Sequence, residues 1–156
     1  MCIRDRDKAE LFRAVFEEVE HDLTLRSLTS PPEGADPWER LSRGLHSFLE
    51  AAAEPEVQRV MLLDGPVVLG WQTVRVIQGR SSIAMIQKKV GEAISEGIIE
   101  DQPVSELTHM LVAAVEEGAL LVAHAPNPAE ARDRAARILD RLLLSFAANS
   151  RKALRR

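Results

Sequence analysis

The chain has 156 residues, of which 46% are hydrophobic and 28% charged, and its net charge at pH 7 is −4. This length predicts one domain with enough apolar residues for a packed core. The acidic balance argues against a basic face that binds a phosphate backbone, and the single cysteine, Cys2, excludes disulfide scaffolds and cysteine-based zinc sites. No apolar run is as long as a membrane span and nothing resembles a secretory signal, so we expect a cytoplasmic protein.

The first predicted helix begins near Asp7. Residues 1–6 show no periodicity, and we interpret them as a truncated or non-native leader. Asp7 and Glu10 have the spacing of a helix cap and its reciprocal partner. The acidic residues from Glu17 to Asp22 lie mostly on the predicted solvent side. The apolar stripe of this helix consists of Phe12, Val15, Phe16, Val19 and Leu23.

Three further segments precede the middle of the chain. Residues 36–39, Asp-Pro-Trp-Glu, predict the start of a second helix, with a capping residue, a proline at the first helical position and an acidic residue at the third. Pro55 begins a third segment. We expect Asp64-Gly65-Pro66 to break or kink that third segment. A long helix is predicted from Trp71 to about Glu96, with a bend near Ser81 and a left-handed stop at Gly97.

The fifth predicted helix, Pro103 to Ala125, is apolar over most of its circumference and should be buried on most sides. Glu116 and Glu117 lie near its midpoint, where an ionised carboxylate is costly unless it is paired or hydrated. One interpretation is that Glu117 is solvated and Glu116 pairs with an arginine across a helix contact. The other is that one of them faces a cavity and recognises a cation or a hydrogen-bond donor.

The last predicted helix begins at residues 127–130, Asn-Pro-Ala-Glu, and residues 149–156 form a basic tail. The sequence contains no alternating strand pattern and no repeat of fixed period. We therefore predict an all-α fold, an orthogonal or antiparallel bundle of six helices or segments.

Three consecutive stretches carry a resemblance: DKAELFRAVFEEVEHDL, DPWERLSRGLHSFLEAA and PEVQRVMLLDGPVVLGW. They resemble the TetR/AcrR family of one-component transcriptional regulators over roughly residues 7–148. Asp7-Lys8, Glu10-Leu11 and Val15 fit the segment that follows the family's DNA-binding domain, whereas Arg4 and Asp5 stand where an aromatic pair is expected. The resemblance implies a TetR C-terminal-domain-like fold that binds a small effector in a helical cavity and dimerises through its last two helices. It also implies that the DNA-reading helix-turn-helix is missing from this chain.

Two sets of residues are predicted to form sites. A pocket for a small, largely apolar effector needs an apolar wall with one or two polar groups. Its candidates are Phe16, Phe48, Met61, Trp71, Met85, His109, Val112 and Glu116. The candidates for the homodimer interface are Leu107, Leu111, Ala114, Gly118, Leu121, Ala131, Ala135, Ile138 and Leu142.

Catalysis and metal binding have little support. The four histidines lack a ligand spacing such as H-x-x-x-H, and no Gly-rich phosphate loop, G-x-S-x-G motif or other cofactor signature occurs. We expect no metal and no cofactor. The leading hypothesis is the ligand-sensing and dimerisation domain of a TetR-like repressor, which touches DNA only through a helix-turn-helix absent from this chain and has no membrane partner. The alternatives are a dimeric helical-bundle interaction protein without a ligand and, third, a small helical enzyme.

Overall fold

The computed structural model describes residues 3–29, 34–51 and 54–148, and these residues form helices joined by short loops. Helix α1 spans Ile3–Thr29 and α2 spans Pro37–Ala51. The prediction that Asp7 caps α1 is wrong, because the helix already runs through this residue. The predicted start of α2 is confirmed: Asp36 Oδ1 accepts a hydrogen bond of 2.7 Å from the backbone N–H of Glu39.

The third segment changes its winding instead of breaking. It consists of α3 (Pro55–Val57), a π-helical stretch (Gln58–Asp64) and α4 (Gly65–Leu69). Gly65 keeps right-handed helical angles, φ −53° and ψ −57°, and its N–H donates to Val60 O five residues earlier. A Cβ at Gly65 would lie 2.6 Å from Phe16 Cε2, so only glycine permits this approach of α1 and α4. Of the predicted break or kink at Asp64-Gly65-Pro66, the break is therefore wrong, because helical winding continues through these residues; the kink stays a prediction. Pro66 sits in the first turn of α4, where its missing N–H is tolerated.

The fourth predicted segment is divided in two, α5 (Trp71–Arg80) and α6 (Ser82–Ser95). The bend expected near Ser81 is confirmed as a full break, with φ −129° and ψ −95° at this residue. The stop at Gly97 is also confirmed, because its φ is +70°. The backbone N–H of Ile98 donates to Ala93 O over 2.9 Å, which closes the end of α6 in the usual glycine-terminated arrangement.

The last two helices, α7 (Val104–Ala123) and α8 (Pro128–Ser145), pack against each other, and α7 also packs on α2 and α6. Asn127 caps α8 as predicted, because its Oδ1 accepts a hydrogen bond of 3.3 Å from the backbone N–H of Glu130. After α8 the chain contacts the loop between α6 and α7. There Ile99 and Ala147 form an isolated antiparallel bridge, and Ala148 N–H donates to Ile98 O over 3.0 Å. We call this contact the C-terminal clasp.

The interior contains two apolar clusters. The first lies among α2, α6, α7 and α8 and includes Leu45, Leu111 and Leu143. The second joins α1 to the π-helical stretch and α5, around the fully buried Phe16. The side chain of Phe48, from α2, packs against both.

The described residues thus form an all-α bundle, as predicted, with no strand among them. They make eight α-helices and one π-helical stretch because the third and fourth predicted segments are each divided. Within these residues no helix is long and apolar enough to cross a membrane.

Candidate functional site

A cavity lies between the two apolar clusters and is walled by α1, α2, α5, α6 and α7. The space within it that the centre of a water molecule can reach is about 30 Å³, enough for one or two waters. Most of the wall is aliphatic or aromatic, with a few polar groups set into it. The lining residues are Glu20, Leu23, Thr24, Gly44, Leu45, Phe48, Gln78, Ser82, Met85, Ile86, Val112, Val115 and Glu116.

Glu116 lines this cavity and is also paired. Arg75 Nη2 on α5 lies 2.8 Å from Glu116 Oε2, and Gln78 Nε2 donates to Glu116 Oε1 over 3.0 Å. The arginine is itself held from the other side, since its guanidinium carbon lies 5.1 Å from the centre of the Trp71 ring. The pairing of Glu116 with an arginine across a helix contact is confirmed, and Glu117 is exposed as that interpretation requires.

A second carboxylate in the wall, Glu20, was not predicted. Its side chain was expected on the solvent side of α1, but the residue is only 2% exposed. Ser81 Oγ donates to Glu20 Oε1 over 2.6 Å, and the hydroxyl and backbone N–H of Ser82 donate to the same oxygen. Glu20 Oε2 has no hydrogen-bond partner. The available signal was its spacing, because Glu20 is four residues after Phe16 and three before Leu23, on the same helix face.

The break at Ser81 explains why a carboxylate is accommodated there. It ends α5 and creates the N-terminus of α6, whose first backbone N–H groups lack partners within the helix. The positive end of the α6 dipole favours a negative group at this position. Glu20, from α1, therefore acts as a cap for α6, although only one of its two oxygens does so.

The structure brings together four of the eight predicted pocket residues: Phe48, Met85, Val112 and Glu116. Their role as ligand contacts stays a prediction. Phe16 and Met61 lie instead inside the second cluster, 0% and 3% exposed. The remaining two are at the surface: Trp71 is 57% exposed, and His109 is one turn before the part of α7 that reaches the cavity.

An apolar groove runs along α7 and α8 on the outside of the bundle. Leu121 and Ile138 stand at its surface, 62% and 68% exposed. Small residues let the two helices approach within the chain, since a Cβ at Gly118 would lie 3.7 Å from Ala135 Cβ. The predicted interface residues that line this groove are Ala114, Gly118, Leu121, Ala135, Ile138 and Leu142.

The other three predicted interface residues are in the chain's own interior: Leu107, Leu111 and Ala131 are 5%, 1% and 7% exposed. They lie on the inner faces of their helices, because the apolar stripe of α7 is wide enough to serve both the core and the groove. A role of the groove in dimerisation stays a prediction.

Lys89 on α6 is a buried cation outside the cavity lining. Its Nζ donates to Arg40 O over 3.4 Å, and the residue is 8% exposed. Loss of hydration lowers the pKa of Lys89, and the positive charge of Arg40 lowers it further. Among the described residues, no group of three or more His, Cys, Asp or Glu side chains is arranged to hold a metal ion.

Comparison with known proteins identifies the fold. Residues 38–146, more than half of the chain, match the family model described as "Tetracyclin repressor-like, C-terminal domain". The crystal structure of a TetR-family transcriptional regulator from Pectobacterium atrosepticum is similar, with a TM-score of 0.75 and 23% sequence identity over 88% of this chain and 70% of that one. A search of curated protein sequences finds no significant match. The chain therefore belongs to the TetR family of transcriptional regulators and contains the family's C-terminal domain.

Proposed function

We propose that this chain is the effector-binding and dimerisation domain of a TetR-family repressor, and that its effector is a small, largely apolar molecule. The observation that carries the proposal is the cavity between the two clusters. Its wall combines apolar side chains with polar groups from α1, α5 and α7, as small-molecule sites do. As the sequence resemblance implies, the effector would act on DNA binding by a helix-turn-helix that precedes α1.

Effector binding requires the cavity to widen. Its volume of about 30 Å³ holds one or two waters and no organic molecule. Phe48 and Met85 are partly buried side chains of the wall, and rotamer changes of these two enlarge it at least cost, because methionine is unbranched and adaptable. α1 carries Glu20 and Leu23 into the same wall, so an effector that pushes α1 outward moves whatever precedes it. This movement would couple the effector to DNA binding.

A cavity-filling variant tests the proposal. Val112→Phe puts a phenyl ring inside the cavity, whereas the control Ala113→Phe puts a phenyl ring on the exposed side of α7. A ligand at a hundredfold over its dissociation constant stabilises a folded protein by about 2.7 kcal/mol. We expect some phenylalkyl or alkyl compounds to raise the unfolding temperature of the wild type and of Ala113→Phe, but not of Val112→Phe. A ligand that stabilises all three proteins equally binds elsewhere and contradicts the proposal.

We propose the groove on α7 and α8 as the homodimer interface. It is continuous and apolar, and under a twofold axis each chain would contribute two helices to a four-helix contact. We assign DNA binding to a helix-turn-helix, because the chain's net charge of −4 does not favour a phosphate backbone. A gel shift with this chain should show no specific, salt-resistant complex, and adding an upstream helix-turn-helix should produce one.

One observation favours the second candidate, a dimeric interaction protein without a ligand: the cavity is nearly filled by its own side chains. The thermal screen separates the two. If no apolar compound or amphiphile stabilises the chain, while sedimentation shows a dimer, the interaction protein is the better account.

A further inference from the structure

The two carboxylates in the cavity wall differ in how their charge is compensated. Both oxygens of Glu116 are engaged, and its negative charge is balanced by Arg75 at 2.8 Å. The donors to Glu20 are two serine hydroxyls and one backbone N–H, all neutral and all on Oε1. No ion pair among the described side chains includes Glu20. The cavity therefore retains one unbalanced carboxylate.

The free oxygen of Glu20 is the second observation. Oε2 is buried without a partner, although a carboxylate oxygen removed from water normally accepts a hydrogen bond. The described residues that line the cavity include no Lys, Arg or His. On its other side Glu20 borders a surface pocket that is also lined by His21 and Arg80, and neither of these forms an ion pair with it. Lys89 is seven residues beyond Ser82 on α6, about 10 Å further along the helix axis. Within the cavity, no described side chain therefore supplies the positive charge that would balance Glu20.

We infer that the effector carries a protonated amino or amidino group that donates to Glu20 Oε2, with an apolar body between Phe48 and Met85. This inference rests on the proposed effector-binding function and names its ligand class. A cation both fills the empty acceptor and balances the buried charge, whereas a neutral hydroxyl does only the first. An anion would face two carboxylates.

A cap for α6 is the purely structural alternative for Glu20. That role uses Oε1 alone, and it explains neither the full burial of Oε2 nor the position of the residue in the cavity wall. The two roles separate in Glu20→Gln. The amide oxygen still accepts from the two serines, but the charge is gone.

The probes are phenylalkylamines from benzylamine to 4-phenylbutylamine, each compared with the alcohol of the same length by calorimetry and thermal shift at pH 7. In the wild type, we expect the best amine to bind about 10-fold to 100-fold more tightly than its alcohol, as a charge-assisted hydrogen bond predicts. In Glu20→Gln, the ratio of amine affinity to alcohol affinity should fall to about one, while the alcohol still binds. Glu18→Gln removes one exposed charge from the same helix and should leave the ratio unchanged.

Each other outcome has a defined meaning. If amines and alcohols bind the wild type equally, the effector-binding function stands and the cationic class is overturned. Loss of the ratio in Glu116→Gln but not in Glu20→Gln overturns the assignment to Glu20. If neither series binds, both proposals fail. If Glu20→Gln does not fold, the wild-type comparison of amine and alcohol still decides the ligand class.

Discussion

Arg75 on α5 holds Glu116 at the middle of α7 through a pair of hydrogen bonds, of which the shorter joins Nη2 and Oε2 over 2.8 Å. This contact makes a carboxylate tolerable in the most apolar helix of the bundle. It also ties α5 to α7, one of the two helices that line the outer groove.

The first prediction concerns this pair. Arg75→Met leaves a largely buried carboxylate with Gln78 as its one remaining partner, and should lower the free energy of unfolding by about 2 kcal/mol. In the double variant Arg75→Met/Glu116→Gln, part of this loss should be recovered, giving a coupling energy of about 1 kcal/mol in urea denaturation. The exposed pair Arg13–Glu17 is the control, and Arg13→Met should cost less than about 0.5 kcal/mol. If the stability losses of Arg75→Met and Glu116→Gln add up to the loss of the double variant, the pair has no stabilising role.

The second prediction compares two glycines. Gly65→Ala puts a Cβ 2.6 Å from Phe16 Cε2 and 2.8 Å from Val60 O, and should destabilise the chain by about 2 kcal/mol through overpacking. Gly79→Ala meets nothing within 4 Å in α5 and should stabilise it by about 0.5 kcal/mol through helix propensity. Thermal unfolding of both variants checks this. Equal changes in unfolding temperature for Gly65→Ala and Gly79→Ala would rule out the close approach of α1 and α4.

The third prediction is a pH dependence at Lys89. Its pKa is lowered in the folded chain by loss of hydration, from an ordinary value of 10.5. Below the lowered pKa, both states hold the proton and the full penalty of burying the charge is present. Between the lowered pKa and 10.5, the unfolded state holds more protons, so the stability of the wild type rises with pH.

Lys89→Met removes this penalty and should stabilise the chain at pH 7 by about 1 kcal/mol. The gain over the wild type should shrink as the pH approaches 10.5. Lys88, with a side chain 79% exposed, is the neighbouring control, and Lys88→Met should show no such trend in chemical denaturation across this range. A gain that grows with pH has the wrong sign and would refute the burial penalty.

The fourth prediction concerns the groove. Ile138→Glu places a charge among Leu121, Ala135 and Leu142. It should weaken the proposed homodimer by about 2 kcal/mol, roughly 30-fold in dissociation constant. Met110 is 71% exposed on α7 but does not line the groove, so Met110→Glu should leave the dimer intact. Sedimentation velocity at several concentrations measures both. A wild-type chain that stays monomeric at micromolar concentration would defeat the interface.

The features that the sequence predicted correctly are those decided by neighbouring residues. Asp36 and Asn127 cap their helices because the acceptor and the N–H that it binds are three residues apart. Gly97 ends α6 because glycine alone adopts its positive φ without strain. The bend near Ser81 was predicted because Gly79, Ser81 and Ser82 are weak helix formers.

The features that the sequence did not predict are those determined by segments far apart in the chain. The π-helical winding depends on Gly65 packing against Phe16, which is 49 positions earlier, and no local pattern encodes that contact. Glu20 appeared to belong to a solvated acidic run, and its burial is caused by Ser81 and Ser82, about sixty residues away. Trp71 and His109 were also predicted for the pocket, but both lie at the surface of their helices, and a role for them in ligand binding stays a prediction. The cavity itself was predicted from helical spacing, and half of its predicted wall is where α2, α6 and α7 meet.

The C-terminal clasp has a practical consequence for labelling. Its two hydrogen bonds, from Glu100 N–H to Phe146 O and from Ala148 N–H to Ile98 O, are both 3.0 Å long and fasten the open end of the α7–α8 hairpin. A fluorophore or fusion partner attached after Ala148 is therefore joined to a backbone held in place by the clasp, and it reports rigid movement of α8. A fusion joined directly to Ser145, with residues 146–148 deleted, removes the clasp. Its signal would then describe fraying of the hairpin in place of the response to a ligand.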